Sequence, residues 1–275
     1  GSGLSTCEYK VDSAGTTTVP WTSLGSCSGS SFTKSQDITV GTSGNCRDEG
    51  TNSCTVYVRA TDVSGRSSSM SRSYNIDFTG PSTSLSGTDY SWKNIDFSVD
   101  ANSVDTYNLV SKIVYRVLSG SEWSVTQDWT QMDCGVSDCT KSIPITVGSS
   151  GLCRDQGFDT CSIEVKANDT LDNWGAVARR NLSIDWTAPS ASVTSPSAGT
   201  WQKQDFTASL SYSDTGGSGL STCYVQVKSA GTVTQSWTTV PCSGATYTIT
   251  VGPEATDLCR DEGENQCVVE VKATD

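Results

Sequence analysis

The chain repeats itself about every 107 residues, and this repeat limits what it can fold into. A Cys-Arg-Asp-Glu/Gln-Gly box begins at Cys46, Cys153 and Cys259, an Ile-Thr-Val-Gly run precedes each box, and another cysteine follows it. This period is too long for a solenoid repeat of about 20 to 50 residues, and it favours a row of separately packed domains. We predict three modules: 1–80, 81–188 and 189–275.

The residues after each box alternate in polarity with the period of a β-strand. Cys161, Ile163, Val165 and Ala167 share one face, and the same face recurs in 54–60 and 267–273. Gly, Ser, Asp and Asn turns separate about seven such strands in 81–188, a number typical of an immunoglobulin-like sandwich. The predicted fold is therefore all-β, with tandem seven-stranded immunoglobulin-like β-sandwiches clasped by disulfides.

The ends of the chain are out of phase with the repeat. Residues 3–7 match residues 219–223, which lie well inside the third module, and the last three residues match 60–62. We therefore expect module 1 to lack its N-terminal strands, module 2 to be complete, and module 3 to lack its last strand. The expectation is a segment of a longer repetitive chain, or a subunit whose gaps are filled by strands of its neighbours.

Short motifs at the ends of the modules carry a family resemblance. The Val-Arg-Ala-Thr-Asp-x-x-Gly run from Val58 to Gly65 and the Ile-Asp-Trp-Thr-Ala-Pro-Ser junction from Ile184 to Ser190 are examples. With the Ser-Asp-Thr-Gly-Gly-Ser-Gly-Leu loop from Ser213 to Leu220, they resemble tandem immunoglobulin-like or fibronectin type III-like repeats of prokaryotic cell-surface proteins. This resemblance implies a sandwich fold and an extracellular, cell-surface location.

The charged residues and the missing histidine exclude several functions. The chain has 18 Lys and Arg against 30 Asp and Glu, a formal net charge of −12, and no histidine. The acidic surface and scattered basic residues argue against a nucleic-acid partner. Without imidazole, Ser-His-Asp and Cys-His catalysis and His-ligated metal sites are excluded. The chain is expected not to be an enzyme.

Twelve cysteines, four in each module, predict disulfides formed in an oxidising compartment. In module 2, Ile113 takes the place of the first cysteine, and Cys139 appears five residues after Cys134. Loss of one partner together with gain of another indicates pairing. A tetrathiolate metal site is the alternative, but the C-x7-C spacing does not fit zinc knuckles. The predicted pairs are Cys7 with Cys27, Cys46 with Cys54, Cys134 with Cys139, Cys153 with Cys161, Cys223 with Cys242, and Cys259 with Cys267.

The other candidate site residues are polar or aromatic. We interpret the box as a turn with an Arg-Asp pair, or alternatively as a repeated docking surface. No cofactor is predicted, although calcium at a junction is a candidate because Asp-rich loops supply the oxygen ligands it prefers. The calcium candidates are Asp62, Asp169, Asp172 and Asp214.

Two further features concern surface contacts. Six of the eight tryptophans have counterparts in another module and are interpreted as packing residues. Trp174, which has none, is the candidate for an exposed contact. Asn168 and Asn181 begin N-x-[ST] glycosylation motifs, with Asn168 preferred because it lies in a turn.

Two functions fit these observations. The first is a non-catalytic structural or adhesive repeat of an extracellular surface fibre, stalk or filament. The second is an accessory or carbohydrate-binding array of a secreted carbohydrate-active enzyme. Expected partners are further copies of the repeat along the chain or fibre, neighbouring subunits through strand donation, and surface glycans.

Overall fold

The computed structural model describes residues 2–275, which form eighteen β-strands and no helix. An all-β fold with six disulfides is therefore confirmed. In the described residues no helix has the length and apolar character needed to cross a membrane.

The first four strands form one antiparallel sheet in the order β2-β1-β3-β4. Buried cysteines dominate its small core, where Cys46 and Cys54 pack with Val11 and Ile76. The apolar face of this sheet is less buried toward the C-terminal end of β3, where Val58 is 47% exposed. The strands are β1 (Leu4–Ser13), β2 (Thr16–Ser23), β3 (Gly50–Asp62) and β4 (Ser67–Ile76).

The next eight strands form a sandwich of two sheets, β10-β7-β5 and β6-β12-β11-β8-β9. Seven of them are full strands, and the two-residue β6 pairs in parallel with β12. The chain crosses repeatedly between the sheets, as in immunoglobulin-like sandwiches. The strands are β5 (Ser82–Leu85), β6 (Trp92–Lys93), β7 (Phe97–Val104), β8 (Val110–Ser119), β9 (Ser124–Val136), β10 (Asp138–Ile145), β11 (Gly157–Asp169) and β12 (Ala178–Ile184).

The core between these two sheets is the best covered part of the chain. On β11, Cys161, Ile163, Val165 and Ala167 are fully buried, which is the face that the alternation predicts. Ile143 from the opposite sheet is buried against the same core. Because one sheet covers this core from each side, the side chains in it are stabilised by about 1.5 to 3 kcal/mol each through burial.

The last six strands form two three-stranded sheets, β13-β14-β17 and β16-β15-β18. Their core contains Val225 and Val227 of β15 and Ile249 of β17, all fully buried. The strands are β13 (Ser190–Ser195), β14 (Phe206–Ser213), β15 (Thr222–Ser229), β16 (Thr232–Val240), β17 (Thr246–Ile249) and β18 (Cys267–Thr274).

The structure contains six disulfides, and each joins the two cysteines that the sequence pairs. No described cysteine is free. Ile113 lies opposite Ala167 in the sheet, just as Cys7 lies opposite Ala60 and Cys223 opposite Ala273. An apolar side chain therefore fills the core position that a half-cystine occupies in the other two modules.

Candidate functional site

The Cys-Arg-Asp-Glu/Gln-Gly box forms a turn between two disulfide-linked cysteines. Its glycine has a φ of 134° at Gly50 and Gly157 and 138° at Gly263, a conformation that favours glycine. The predicted Arg-Asp pair is wrong. The six salt bridges among residues 2–275 include no arginine or aspartate of a box, and the three arginines are exposed.

A buried serine holds each box in place, and sequence reasoning missed it. The Ser119 Oγ accepts hydrogen bonds from the backbone amides of Arg154 and Asp155, both at 3.1 Å. Ser13 and Ser229 accept the equivalent amides of the other two boxes at 3.0 to 3.1 Å. All three serines are fully buried. Their recurrence just before the β1-β2, β8-β9 and β15-β16 turns is the signal in the sequence.

A threonine on the following strand makes a second contact with the same loop. The Thr126 hydroxyl donates to the carbonyl of Leu152 at 2.7 Å, and Thr18 and Thr234 donate to Asn45 and Leu258 at 2.5 and 2.6 Å. The hairpin thus binds the box by a serine that accepts and a threonine that donates. We call this serine, threonine and disulfide arrangement the box clasp.

Removing the serine hydroxyl tests the clasp. Ser119→Ala is expected to lower the free energy of unfolding of β5–β12 by about 1 to 3 kcal/mol, because two amides lose their acceptor inside the fold. Ser121→Ala, an exposed serine in the adjoining turn, should change it by less than about 0.5 kcal/mol. Chemical denaturation followed by hydrogen exchange of 152–161 measures both. Equal effects of the two substitutions would contradict the clasp.

The Glu or Gln of the box contacts the chain at the end of its own module. The Glu49 carboxylate accepts from the backbone amide of Phe78 at 2.7 Å and from the hydroxyl of Thr79 at 2.8 Å. The Gln156 Oε1 accepts from the amide of Trp186 at 2.8 Å. The box therefore positions the chain where one module passes into the next.

Where one module passes into the next, aspartate carboxylates form two clusters of three. One oxygen from each of Asp77, Asp105 and Asp169 lies within 4.8 Å of the others, and Asp185, Asp214 and Asp275 form the second cluster. Of the calcium candidates, Asp169 and Asp214 belong to these clusters, one to each.

The other two calcium candidates lie outside both clusters. Asp62 accepts the hydroxyl of Ser64 at 2.7 Å and the amide of Arg66 at 2.9 Å. The Asp172 Oδ1 accepts from the Nδ2 of Asn168 at 2.6 Å. Sequence reasoning missed Asp77, Asp105, Asp185 and Asp275, although all four have counterparts in the neighbouring cluster.

The carboxyl groups of these loops have different electrostatic environments. Burial raises the pKa of Asp77, the amide of Thr79 partly offsets this, and the charges of Asp105 and Asp169 add to the rise. Burial also raises the pKa of Asp214. Hydrogen bonds from backbone amides, first that of Gly216, lower it by more, so this pKa lies below its ordinary value. Of these two carboxylates, Asp77 is therefore the one whose charge is less compensated by hydrogen-bond donors.

The tryptophans do not share one packing role. Trp129 lies half-buried on the outer face of its sheet, with the Arg116 guanidinium 4.8 Å and the Lys166 ammonium 5.0 Å from its ring centroid. Its counterparts Trp21 and Trp237 are covered by Arg59 and Lys272 at 4.3 Å.

The packing interpretation is wrong for Trp201, which is 78% exposed in the loop before β14. Trp174, the candidate contact residue, is 42% exposed. Lys166 and Lys112 lie 4.6 and 5.4 Å from its ring centroid. Cations therefore cover part of the indole surface on which a sugar would stack.

Accessibility reverses the order of the two glycosylation candidates. Asn168 is only 3% exposed, and its Nδ2, the atom to be modified, donates to Asp172. Asn181 on β12 is partly exposed, and its Oδ1 accepts the hydroxyl of Ser162 at 2.8 Å. A turn position does not ensure exposure, because the 169–175 loop folds back over Asn168.

No protein-family model matches the chain. No curated protein matches it either. Among solved structures it is similar to a tetra-tandem repeat in the extending region of a large adhesion protein, with 18% identity over 100% of this chain and 67% of that one (TM-score 0.28). It is also similar to chicken CNTN1 FN1-FN3 domains, with 11% identity over 99% and 84% (TM-score 0.26). A third structure, dimeric latent PorU from Porphyromonas gingivalis, has 8% identity over 98% and 26% (TM-score 0.28). Because these scores are low, the fold assignment rests on the strands and cores described above.

Proposed function

We propose that this chain is a non-catalytic structural or adhesive repeat of an extracellular surface fibre, stalk or filament. The box clasp carries the proposal, since the same buried serine, threonine and short disulfide loop recur in all three modules. A catalytic site is a unique convergence of groups in one place. A feature that recurs once in every module instead stabilises each module of a row.

The twelve paired cysteines support an oxidising, extracellular setting. Short disulfide loops stabilise a small domain against unfolding, and they persist outside the cell without a reducing system. A stalk made of such modules therefore stays folded in the extracellular environment. Its expected partners are further modules of the same kind and the surface to which the stalk leads.

Labelling of intact cells tests the location. Antibodies raised against residues 81–188, detected by immunogold electron microscopy on the source cells, are expected to label the outer surface. Protease treatment of intact cells should remove this label, and a cytoplasmic marker protein provides the control. Label confined to the cell interior would overturn the proposal.

A glycan array then separates a structural repeat from a carbohydrate-binding array. The intact, oxidised chain is expected to give no signal above that of a Trp201→Ala variant, in which the most exposed indole is removed. Saturable binding of a polysaccharide that is lost in Trp201→Ala would instead favour the accessory module of a carbohydrate-active enzyme.

A further inference from the structure

The outer face of the five-stranded sheet in module 2 carries cations, although the whole chain has a formal net charge of −12. Ile163 and Val165 of β11 point into the core, so Glu164 and Lys166 point outward. Residues paired across neighbouring strands share a face. The pairing places three further cations on the outer face, namely Lys112 and Arg116 of β8 and Arg179 of β12. Four cations therefore share this face with the carboxylate of Glu164.

The two tryptophans that lack counterparts in the other modules contact these cations. Trp123 lies in the turn before β9, with its ring centroid 4.6 Å from the guanidinium carbon of Arg179. The Lys166 ammonium lies 4.6 Å from the ring centroid of Trp174 and 5.0 Å from that of Trp129. The pair of Trp129 and Lys166 has equivalents in modules 1 and 3. Trp123 and Trp174 extend this pair in module 2 alone.

The backbone at Trp123 is strained. Its φ is 53°, in the left-handed region that a bulky side chain rarely adopts. The residue directly before β2 and before β16 is instead a glycine, Gly15 or Gly231, with φ of 78° and 79°. Glycine adopts this conformation readily, yet module 2 has an indole there. Strain of this kind is concentrated at functional sites, which favours a role for the indole beyond the turn.

Two of these cations have no carboxylate partner. Arg116 and Arg179 approach Glu164 at 2.6 and 3.9 Å. Lys112 and Lys166, by contrast, take part in no salt bridge among residues 2–275. Their positive charges are therefore available to a partner outside the chain.

Neighbouring residues do not neutralise the two lysines. Asp133 lies opposite Lys112 on β9, but its Oδ1 accepts from the Nε2 of Gln131 at 2.6 Å. Module 1 differs, because both cations of its outer face form salt bridges. These pairs are Lys10 with Asp12 and Arg59 with Glu8. In module 3, Lys228 pairs with Glu270, and Lys272 stays without a carboxylate in the described chain. The largest excess of positive charge therefore lies on module 2.

The chemistry of this face selects a polyanion. Stacking on an indole restricts a lysine or arginine side chain but leaves N–H groups that can donate to an anion. Such charge-assisted hydrogen bonds are among the stronger ones. The donors are spread over a strand surface rather than gathered in a pocket, which suits a linear polymer with repeated charges. The cations occupy ring faces on which nucleic-acid bases would stack, so an acidic polysaccharide fits better than a nucleic acid.

We propose that the outer face of β8, β11 and β12 binds a linear acidic polysaccharide, whose carboxylates accept hydrogen bonds from Lys112, Lys166 and Arg179. This inference rests on the proposed function, because it names the ligand class of an adhesive repeat. Module 2 is then the adhesive module, and modules 1 and 3 extend the stalk on either side of it. Trp201 lies in the loop before β14 and not on this face. Binding here is therefore the same in the parent chain and in Trp201→Ala.

Binding of sodium polygalacturonate to the whole oxidised chain, measured by biolayer interferometry, tests the proposal. We expect saturable binding that weakens as NaCl is raised from about 20 to about 150 mM, since salt screens exposed charges. Neutral dextran should not bind. Failure of both polygalacturonate and dextran sulfate to bind would overturn the proposal. Binding of poly-L-glutamate or of oligo(dT) at least as tight as that of either polysaccharide would overturn the choice of ligand class.

A double variant assigns the binding to this face. Lys112→Gln/Lys166→Gln should weaken polygalacturonate binding by about tenfold or more, because two charged donors are lost. The matched control is Lys141→Gln/Lys203→Gln, which removes the same charge from β10 and from the loop before β14. The control should change the affinity by less than about twofold. Equal losses in the two variants would contradict the site. Lys112→Arg/Lys166→Arg, which keeps both charges, should keep the binding.

Trp123→Gly separates a role in binding from a role in the fold. Its thermal unfolding midpoint should equal or exceed that of the parent chain, because glycine accepts the positive φ at this position. Its affinity for polygalacturonate should fall by about threefold or more, since Arg179 loses the ring that holds it. A lower midpoint together with unchanged affinity would show that the indole is only structural.

The proposed function and this inference can fail separately. Label on the outer surface of the source cells, together with no polysaccharide binding, would overturn this inference alone. Label confined to the cell interior would overturn the proposed function, whereas the binding measurement would still decide whether the face takes a polyanion.

Discussion

Joint replacement of Cys153 and Cys161 by alanine is expected to lower the free energy of unfolding of the β5–β12 sandwich by about 3 to 5 kcal/mol. The bridge closes a loop of about nine residues, for which the chain-entropy estimate gives roughly 2 to 3 kcal/mol. Both cysteines are also fully buried, so their replacement by alanine removes two sulfur atoms from the core and leaves a cavity. Hydrogen exchange of residues 157–169 as a function of denaturant measures the change for this sandwich alone, because a chain with several cores need not unfold in one step.

The matched control is the joint replacement of Cys134 and Cys139 in the same sandwich. This bridge closes a shorter loop between β9 and β10, and Cys134 is only partly buried. We expect a smaller loss, about 2 kcal/mol. If removal of this bridge were the more costly of the two, the Cys153–Cys161 bridge would not be the main covalent support of the core.

Ile163→Ala is expected to lower the free energy of unfolding of the same sandwich by about 3 to 4 kcal/mol. Ile163 is fully buried at the centre of β11, between β8 and β12. Its truncation removes apolar contacts and leaves a cavity that the two disulfide-linked sheets cannot fully close. The same hydrogen-exchange measurement reports the change.

Two controls separate burial from side-chain chemistry. Ile163→Val removes one methylene from the same place and should cost about 0.5 to 1.5 kcal/mol. Ile95→Ala makes the identical substitution at a residue that is 72% exposed, and should cost less than about 0.5 kcal/mol. Equal effects at Ile95 and Ile163 would contradict the description of this core.

The core strands and the disulfide partners could be predicted because their signals are local. A strand places every second residue on one face, so the run from Cys161 to Ala167 shows its buried side without any tertiary information. The cysteine partners follow from comparison of the modules, since the change at Ile113 accompanies the gain of Cys139. The second inference compares residues at equivalent positions in the modules, and the repeat supplies that alignment.

Burial was harder to predict, because it depends on what covers a face. Cys161, Ile163 and Val165 are fully buried, whereas the equivalent Val58 of β3 is 47% exposed. The two strands have the same alternation, but only β11 has a facing sheet built from other strands. Asn168 illustrates the same limit, since a loop motif in the sequence gives no information about the fold of that loop over the asparagine.

The repeat, the strand faces, the disulfide pairs and the acidic, histidine-free character of the chain follow from the amino-acid sequence alone. Which carboxylates meet depends on the tertiary structure, because Asp77, Asp105 and Asp169 lie at the ends of different strands and no sequence spacing relates them. The tertiary structure also showed Ser119 as the acceptor for the box amides and placed cations on the tryptophan rings. Periodicity specifies a direction for each side chain, whereas a cluster depends on how strand ends and loops approach one another in space.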